Sequence, residues 1–178
     1  MGLWFAMCAP AFAAVLGFGP GDGQVAFQLA SSLHGVEGQA LAFSGQLDTA
    51  ARTGTFTVEA GGLTTGLGPR DSRMLAWCLE ATRFPAITLV VSRIEGALAP
   101  FGGGAGSGVL SLIGTLTIRD VTRDVVVPAT FAWEGEKLRI KGRHDMKWTD
   151  WNLPDPSTVL STVSPDMAVV FDIVARPS

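Results

Sequence analysis

Two histidines and two cysteines are the residues of this chain best suited to acid–base, nucleophilic or metal chemistry, and their spacing argues against all three. His34 and His144 lie 110 positions apart, so a metal site would need the fold to bring both together with acids. His34 closes an extended segment and His144 alternates onto an apolar face, which is the placement of hydrogen-bonded structural histidines. Cys8 sits in an uncharged N-terminal run, and Cys78 has Leu75 and Leu79 as helical neighbours. Cys78 therefore reads as a small core residue rather than a nucleophile, and no internal disulfide is expected once Cys8 is removed. Gly-x-Ser-x-Gly, P-loop, His-Glu-x-x-His and Cys-x-x-Cys patterns are all missing from the sequence. Catalysis lacks its usual parts, so no catalytic residue, metal ligand or cofactor is assigned.

A second concentration of functional groups is cationic. Lys137, Arg139, Lys141 and Arg143 alternate with Leu138, Ile140, Gly142 and His144, which sets four cations on one solvent-facing side of a strand. Such a face discourages edge pairing. The other reading is peripheral contact with an anionic membrane surface, where each cation contributes about 1 kcal/mol. Nucleic acid is excluded as a partner on charge: 13 Lys plus Arg against 16 Asp plus Glu give a net −3, with no basic tail to hold phosphates.

Side chains need elements to place them, and most of the chain reads as strand. With 178 residues, 47% of them hydrophobic and 16% charged, it is sized for one domain with a substantial core. Val25, Phe27 and Leu29 alternate in VAFQLASSLH, Leu41, Phe43 and Leu47 in ALAFSGQL, and Phe56 and Val58 in GTFTVEA. That period of two puts each group on one strand face. AITLVVSRIEG, GVLSLIGTLTIRD, DVVVPATFAWEG, KLRIKGRHDMKW and DMAVVFDIVA continue the pattern between turn signals. The expected fold is all-β, an eight-stranded antiparallel barrel.

One stretch, RDSRMLAWCLEATRFPAITLVV, breaks the pattern. Met74, Leu75, Cys78 and Leu79 recur at helical spacing, Asp71 or Ser72 can cap the run, and Pro85 ends it. One short amphipathic helix over about residues 71–80 is predicted, covering one end of the barrel. Leu75, Cys78 and Leu79 would face the interior and Arg73 the outside. At the N-terminus, MGLWFAMCAPAFAAVLG carries no charge, and Ala11, Phe12 and Ala13 have the small-x-small spacing of a signal-peptidase site. Residues 1–13 read as a signal peptide and residues 14–178 as the mature single domain, hence a periplasmic or secreted protein. The alternative is a buried N-terminal strand. Nothing later is long and apolar enough for a membrane-spanning helix.

Alternation points Phe27, Leu29, Phe43, Phe56, Leu112, Leu116, Phe131, Trp148 and Phe171 inward, joined by Leu75 and Leu79 from the helix. These could line a cavity for a long hydrocarbon chain, at about 0.8 kcal/mol per buried methylene. A filled core has the same sequence pattern.

The residues resemble a known family, the bacterial YceI-like proteins. SSLHGVEGQALAFSGQL is similar to the family's strand that ends near a His followed by Gly. LTTGLGPRDSRM is similar to its Thr-Gly then Arg-Asp approach to a helix, and ATRFPAITL to its Phe-Pro-x-Ile joint. The most specific block, Gly-x-Leu-Thr-Ile-Arg-Gly-Val-Thr-Arg before a valine-rich strand, is matched by GTLTIRDVTRDVVV. Two departures stand out. Asp120 replaces the usual turn Gly and is expected to take its left-handed conformation, and WTDWNLPDPS is bulkier than its counterpart. The resemblance spans residues 24–175. It implies a lipocalin-like barrel that binds, without catalysis, an amphipathic isoprenoid-tailed ligand such as a polyprenyl lipid or a quinone. Such a protein would carry or store its ligand in the periplasm. The alternative is a structural or stress-related envelope protein with a filled barrel. Neither reading sets the oligomeric state.

Overall fold

The computed structural model describes residues 15–99 and 105–178. The expected signal segment, residues 1–13, lies outside them. In chain order the strand segments are β1 (Val15–Phe18), β2 (Gly23–Ser31), β3 (Val36–Ala40), β4 (Phe43–Asp48), β5 (Thr53–Glu59) and β6 (Leu63–Thr64). After one helical stretch come β7 (Ala86–Gly96), β8 (Ser107–Ile118), β9 (Val121–Glu134), β10 (Lys137–Lys147) and β11 (Val163–Pro177).

These segments close into an eight-stranded antiparallel barrel, because β1 with β2, β3 with β4 and β5 with β6 each form one interrupted strand. β11 pairs with β2 along most of its length and with β1 at its end, and β1 and β2 pair onward with β4 and β3. Each interruption re-satisfies its backbone groups locally, as buried amides require. At the first, Gly19 donates to Asp22 Oδ2 at 2.9 Å. At the second, Leu41 N–H donates to the Gly62 carbonyl at 2.8 Å and Glu59 N–H to the Ala42 carbonyl at 3.0 Å. The break at Leu41 also corrects the simple alternation: Leu41 leaves the inward face shared by Phe43 and Leu47 and is exposed.

The antiparallel succession gives the barrel two unlike ends. The β4–β5, β7–β8 and β9–β10 connections lie at one end. There Arg52 donates from Nε to the Ile94 carbonyl (2.7 Å), from one Nη to Leu98 (3.1 Å) and from the other to Gly96 (2.7 Å). Strand turns are thus bound to one another over a packed floor of Leu16, Leu47, Ile94, Leu112, Leu138 and Ile140. The β2–β3, β6–β7, β8–β9 and β10–β11 connections lie at the opposite end, and the helix belongs to the β6–β7 connection there.

That helix differs from its expected form. It starts at Gly68, with Pro69 in its first turn, as α1 (Gly68–Arg73), and continues as one π-helical segment (Met74–Cys78). Asp71 is inside the first turn rather than capping it. Its carboxylate accepts from Thr64 Oγ1 (2.7 Å), Thr65 N–H (2.8 Å) and Thr65 Oγ1. The hydrogen bonds from Thr65 and then Thr64 hold the Asp71 carboxyl below its ordinary range. The helix stops at Leu79, and Glu80 takes a left-handed φ of 46°. In the β8–β9 turn the left-handed residue is Arg119 (φ 55°) instead of Asp120. The reason lies in what Arg119 holds: its guanidinium pairs with Glu80, donates to the Cys78 carbonyl at 3.4 Å and lies 5.5 Å from the Phe84 ring centre. It ties the turn to the helix C-terminus, where a cation is favoured.

The cationic face of β10 is outside, as expected, and three of its four cations are paired with acids. Arg139 forms a bidentate pair with Asp172 (2.8 Å to each oxygen), Lys141 approaches the same carboxylate at 3.1 Å, and Arg143 pairs with Asp145 at 2.8 Å.

A half-hollow barrel with an apolar cavity

Inside the barrel, above the packed floor, is a cavity of ≈ 310 Å³ reaching the helix-bearing end. Phe18, Phe56 and Phe171 pack as a tilted cluster on its inner wall, with ring centres 5.0 Å and 6.2 Å apart, close to the preferred aromatic separations.

The hollow depends on where the aromatic rings lie. Phe171 is the cross-strand partner of Gly142, Phe27 of Gly38, and Phe18 lies over Gly45. A Cβ at these glycines would fall 2.3, 2.2 and 2.0 Å from the respective rings. The missing side chains therefore let three phenylalanines lie flat against the wall, where their area is buried and the centre stays open. The wall also changes character near the mouth. The β9–β10 ladder ends at the Ala129–Gly142 pair although both strands continue. Pro128 is the next β9 residue and has no N–H to give. Beyond that point His144 hydrogen-bonds the Val126 main chain of β9, and Arg123 Nε donates from β9 to the Asp150 carbonyl, in the connection after β10, at 3.0 Å.

Eight of the residues expected to face a ligand line this cavity: Phe27, Leu29, Phe43, Phe56, Leu79, Leu116, Trp148 and Phe171. The other three do not. Leu112 and Phe131 point inward as alternation requires but lie in the packed half of the barrel. Leu75 packs beside the core, because the wider π turn places Met74, Cys78 and Leu79 on the cavity side in its stead. Arg73, expected outside, is at the cavity mouth: its guanidinium lies 4.5 Å from the Trp77 ring centre and donates to the Ser157 carbonyl at 3.3 Å. Arg70 also lines the mouth, but Thr65 occupies it, accepting from Nε at the hydroxyl (2.7 Å) and from Nη at the carbonyl (3.0 Å).

Further lining comes from Met146 and Met167, cross-strand partners whose flexible thioethers suit an irregular ligand. Leu153, Pro154 and Pro156 contribute from the WTDWNLPDPS segment. That segment is pinned by its tryptophans: Trp148 Nε1 donates to the Ser164 carbonyl at 2.8 Å and Trp151 Nε1 to Leu116 at 3.1 Å. His144 lies on the wall, and burial pushes its pKa down, so it is neutral near pH 7. Cys78 is buried on the cavity side of the helix, and burial pushes its thiol up, away from the reactive thiolate. No cluster of three or more His, Cys, Asp or Glu able to hold a metal occurs among the described residues.

Such a site can exclude water from a hydrocarbon chain, with polar contacts at its rim and, on the wall, at His144. Comparison with known proteins agrees with that geometry. A polyisoprenoid-binding domain from Saccharophagus degradans superposes with a TM-score of 0.77 at 15% identity, covering 93% of this chain and 99% of that one. BcnA from Burkholderia cenocepacia gives 0.71 at 23% identity, covering 85% and 95%. The YceI protein of Campylobacter jejuni gives 0.65 at 18%, covering 80% and 85%. No curated protein matches by sequence. At these identities the superpositions establish the shared barrel alone, and the family model of the YceI-like domain matches residues 19–175. The chain belongs to the YceI-like domain family.

Proposed function

We propose that this protein binds an amphipathic isoprenoid-tailed lipid, a polyprenyl lipid or a quinone, with the tail in the barrel and the polar end at the mouth. Carriage or storage in the periplasm, rather than catalysis, is the role that fits such binding. The observation that supports the reading is the half-hollow barrel: its floor is packed solid, while the upper half is apolar and open at one end. Its volume is at the lower end of small-molecule sites, roughly 300–1,000 Å³. A long tail would therefore fold tightly or project from the mouth, which puts the head group beside Arg73. That guanidinium has one main-chain partner and further N–H donors for a phosphate, carboxylate or quinone oxygen. The polyisoprenoid-binding domain from Saccharophagus degradans lends support at the level of fold.

Organic extraction of the purified protein followed by mass spectrometry tests the reading. The expected result is near-stoichiometric isoprenoid lipid or quinone, and titration of stripped protein should quench or shift Trp148, which lines the cavity. Protein that yields no lipid and gives no titration signal would instead be the structural envelope protein, a reading favoured only by the packed lower half.

A further inference from the structure

We infer that the open end of the barrel is a membrane-docking surface that seats on a lipid bilayer by inserting the apolar tips around the cavity mouth. The inference rests on the lipid-cargo reading above.

Exposed large apolar residues are distributed unevenly over the described residues. Leu33, Leu67, Trp77, Val159 and Leu160 all sit on open-end connections, while Leu41, Val90, Val109 and Val126 are on the barrel wall. None belongs to the described parts of the closed-end connections. Val159 and Leu160 are the most extreme, at 104% and 84% exposure. They occupy the two apex positions of a tight turn in which Thr158 N–H donates to the Ser161 carbonyl (2.8 Å) and Ser161 N–H to Thr158 (3.3 Å). Turn apices ordinarily hold Gly, Asn, Asp, Pro or Ser, each for a backbone reason. A Val-Leu pair there contributes nothing to the fold and costs solubility, so a contact outside the folded chain accounts for it better.

This turn is not a loose loop. Ser32 N–H donates to the Thr162 carbonyl at 2.9 Å, and Thr162 N–H returns a bond to Ser32 Oγ at 3.1 Å. The β2–β3 turn, which carries Leu33 at 66% exposure, is thereby braced against it. Leu33, Val159 and Leu160 are presented together. Across the mouth, Leu67 precedes the helix and Trp77 sits on its outer side against Arg73. Each of these residues is within a few positions of one that lines the cavity: Val36, Val163, Thr65 and Cys78. The apolar tips therefore surround the opening through which cargo would pass.

A bilayer is the occupant that suits this arrangement. Five side chains fall well short of the roughly 20–30 residues a side of a stable protein interface, whereas a bilayer accepts isolated apolar wedges without complementary shape. Trp beside Arg is a pairing at home in the headgroup layer. A mouth pressed into the bilayer also spares an isoprenoid tail any passage through water.

The test is co-sedimentation of the full chain with phosphatidylcholine vesicles, for wild type, for Val159→Asp/Leu160→Asp, and for Leu41→Asp. Leu41 is comparably apolar and 59% exposed, but lies on the wall. The tip variant is expected to lose vesicle partitioning by about tenfold per substituted side chain, with Leu41→Asp unchanged. Farnesol titration without vesicles, run on the same samples, reports the cavity alone and is expected to be equal in all three. Wild type that ignores vesicles, equal partitioning of wild type and tip variant, or a tip that proves buried in self-association by sedimentation would overturn the inference. Failure of wild type to bind farnesol would instead sink the cargo reading, and leave a tip-dependent vesicle signal standing on its own.

Discussion

At the scale of single residues, the cavity divides labour between an apolar wall and a cationic rim, and substitution can separate the two. Leu79 is buried against both core and cavity. Truncating a wholly packed Leu costs about 2–5 kcal/mol, but one that borders open space has fewer neighbours to lose. Leu79→Ala should therefore weaken binding of farnesol and of longer, head-grouped ligands alike, while lowering the melting temperature of stripped protein modestly. Arg73→Gln should leave farnesol unaffected and weaken a polyprenyl phosphate, read by titration of both ligands. His144 sets a pH dependence. Its pKa is pushed down by burial, with Asp145 and the Val126 hydrogen bond pulling the other way. The unfolded chain then takes up this proton before the folded one does, so stability falls as pH drops below about 6.5 and levels off below the folded-state value. Asp172 and Asp71 act lower: Arg139 and Thr65, respectively, are the leading causes that hold their carboxyls down. Their contribution is present above about pH 3.9 and is lost as pH falls further. Thermal melts of His144→Gln should lack part of the loss between pH 7 and 5 and keep the loss below pH 4. An unaltered profile in the first window would remove His144 from the account.

Elements explain which parts of the site could be read in advance. Strand alternation needs only a period of two, so Phe27, Phe43, Phe56 and Phe171 were visible as inward residues. Pro69, a first-turn residue by preference, marks the helix start, which the expected cap at Asp71 or Ser72 missed. The inner face of the helix was read at Cys78 and Leu79 but not at Leu75, since a π turn leaves no periodic mark and shifts the phase from Leu75 to Met74. Leu153, Pro154 and Pro156 come from a loop held by two indole hydrogen bonds, a placement no local pattern encodes. The glycine-backed phenylalanines needed cross-strand register, which belongs to the assembled sheet. They also carry a prediction at this scale. A side chain at Gly142 would push the Phe171 ring off the wall, and the empty space beside it is the direction in which the ring can move. Gly142→Val should fill the cavity from within. Lipid recovered by extraction should drop sharply, with far-UV circular dichroism still that of a strand-dominated barrel. Full cargo recovery from that variant would mean that the ring moves elsewhere.

For the whole molecule, the decisive feature is that one barrel serves as two half-barrels of opposite purpose. Stability is concentrated where the strand turns are bound together by Arg52 over a packed floor. Binding capacity is concentrated where the β9–β10 ladder has ended and the lining is partly exposed. Sequence alternation could not distinguish the halves, because it treats Leu112 and Leu116 identically: same strand, same face, four residues apart. Only depth separates them, at about 3.3 Å of rise per residue, and depth follows from how the closed sheet is staggered. This pair makes the division measurable within one strand. Leu112 is wholly enclosed, so Leu112→Ala leaves a void among atoms that cannot collapse and should cost about 2–5 kcal/mol of unfolding free energy. Folded Leu112→Ala protein should still bind cargo with wild-type affinity, since the floor lies below the ligand. Leu116 borders the cavity, so Leu116→Ala merely enlarges a space that already exists. It should cost clearly less stability and change cargo affinity instead. Denaturant unfolding of stripped protein and ligand titration, run on both variants, give the comparison. If Leu116→Ala proves as destabilising as Leu112→Ala and cargo affinity follows stability in both, the upper barrel is filled in solution and its role is structural.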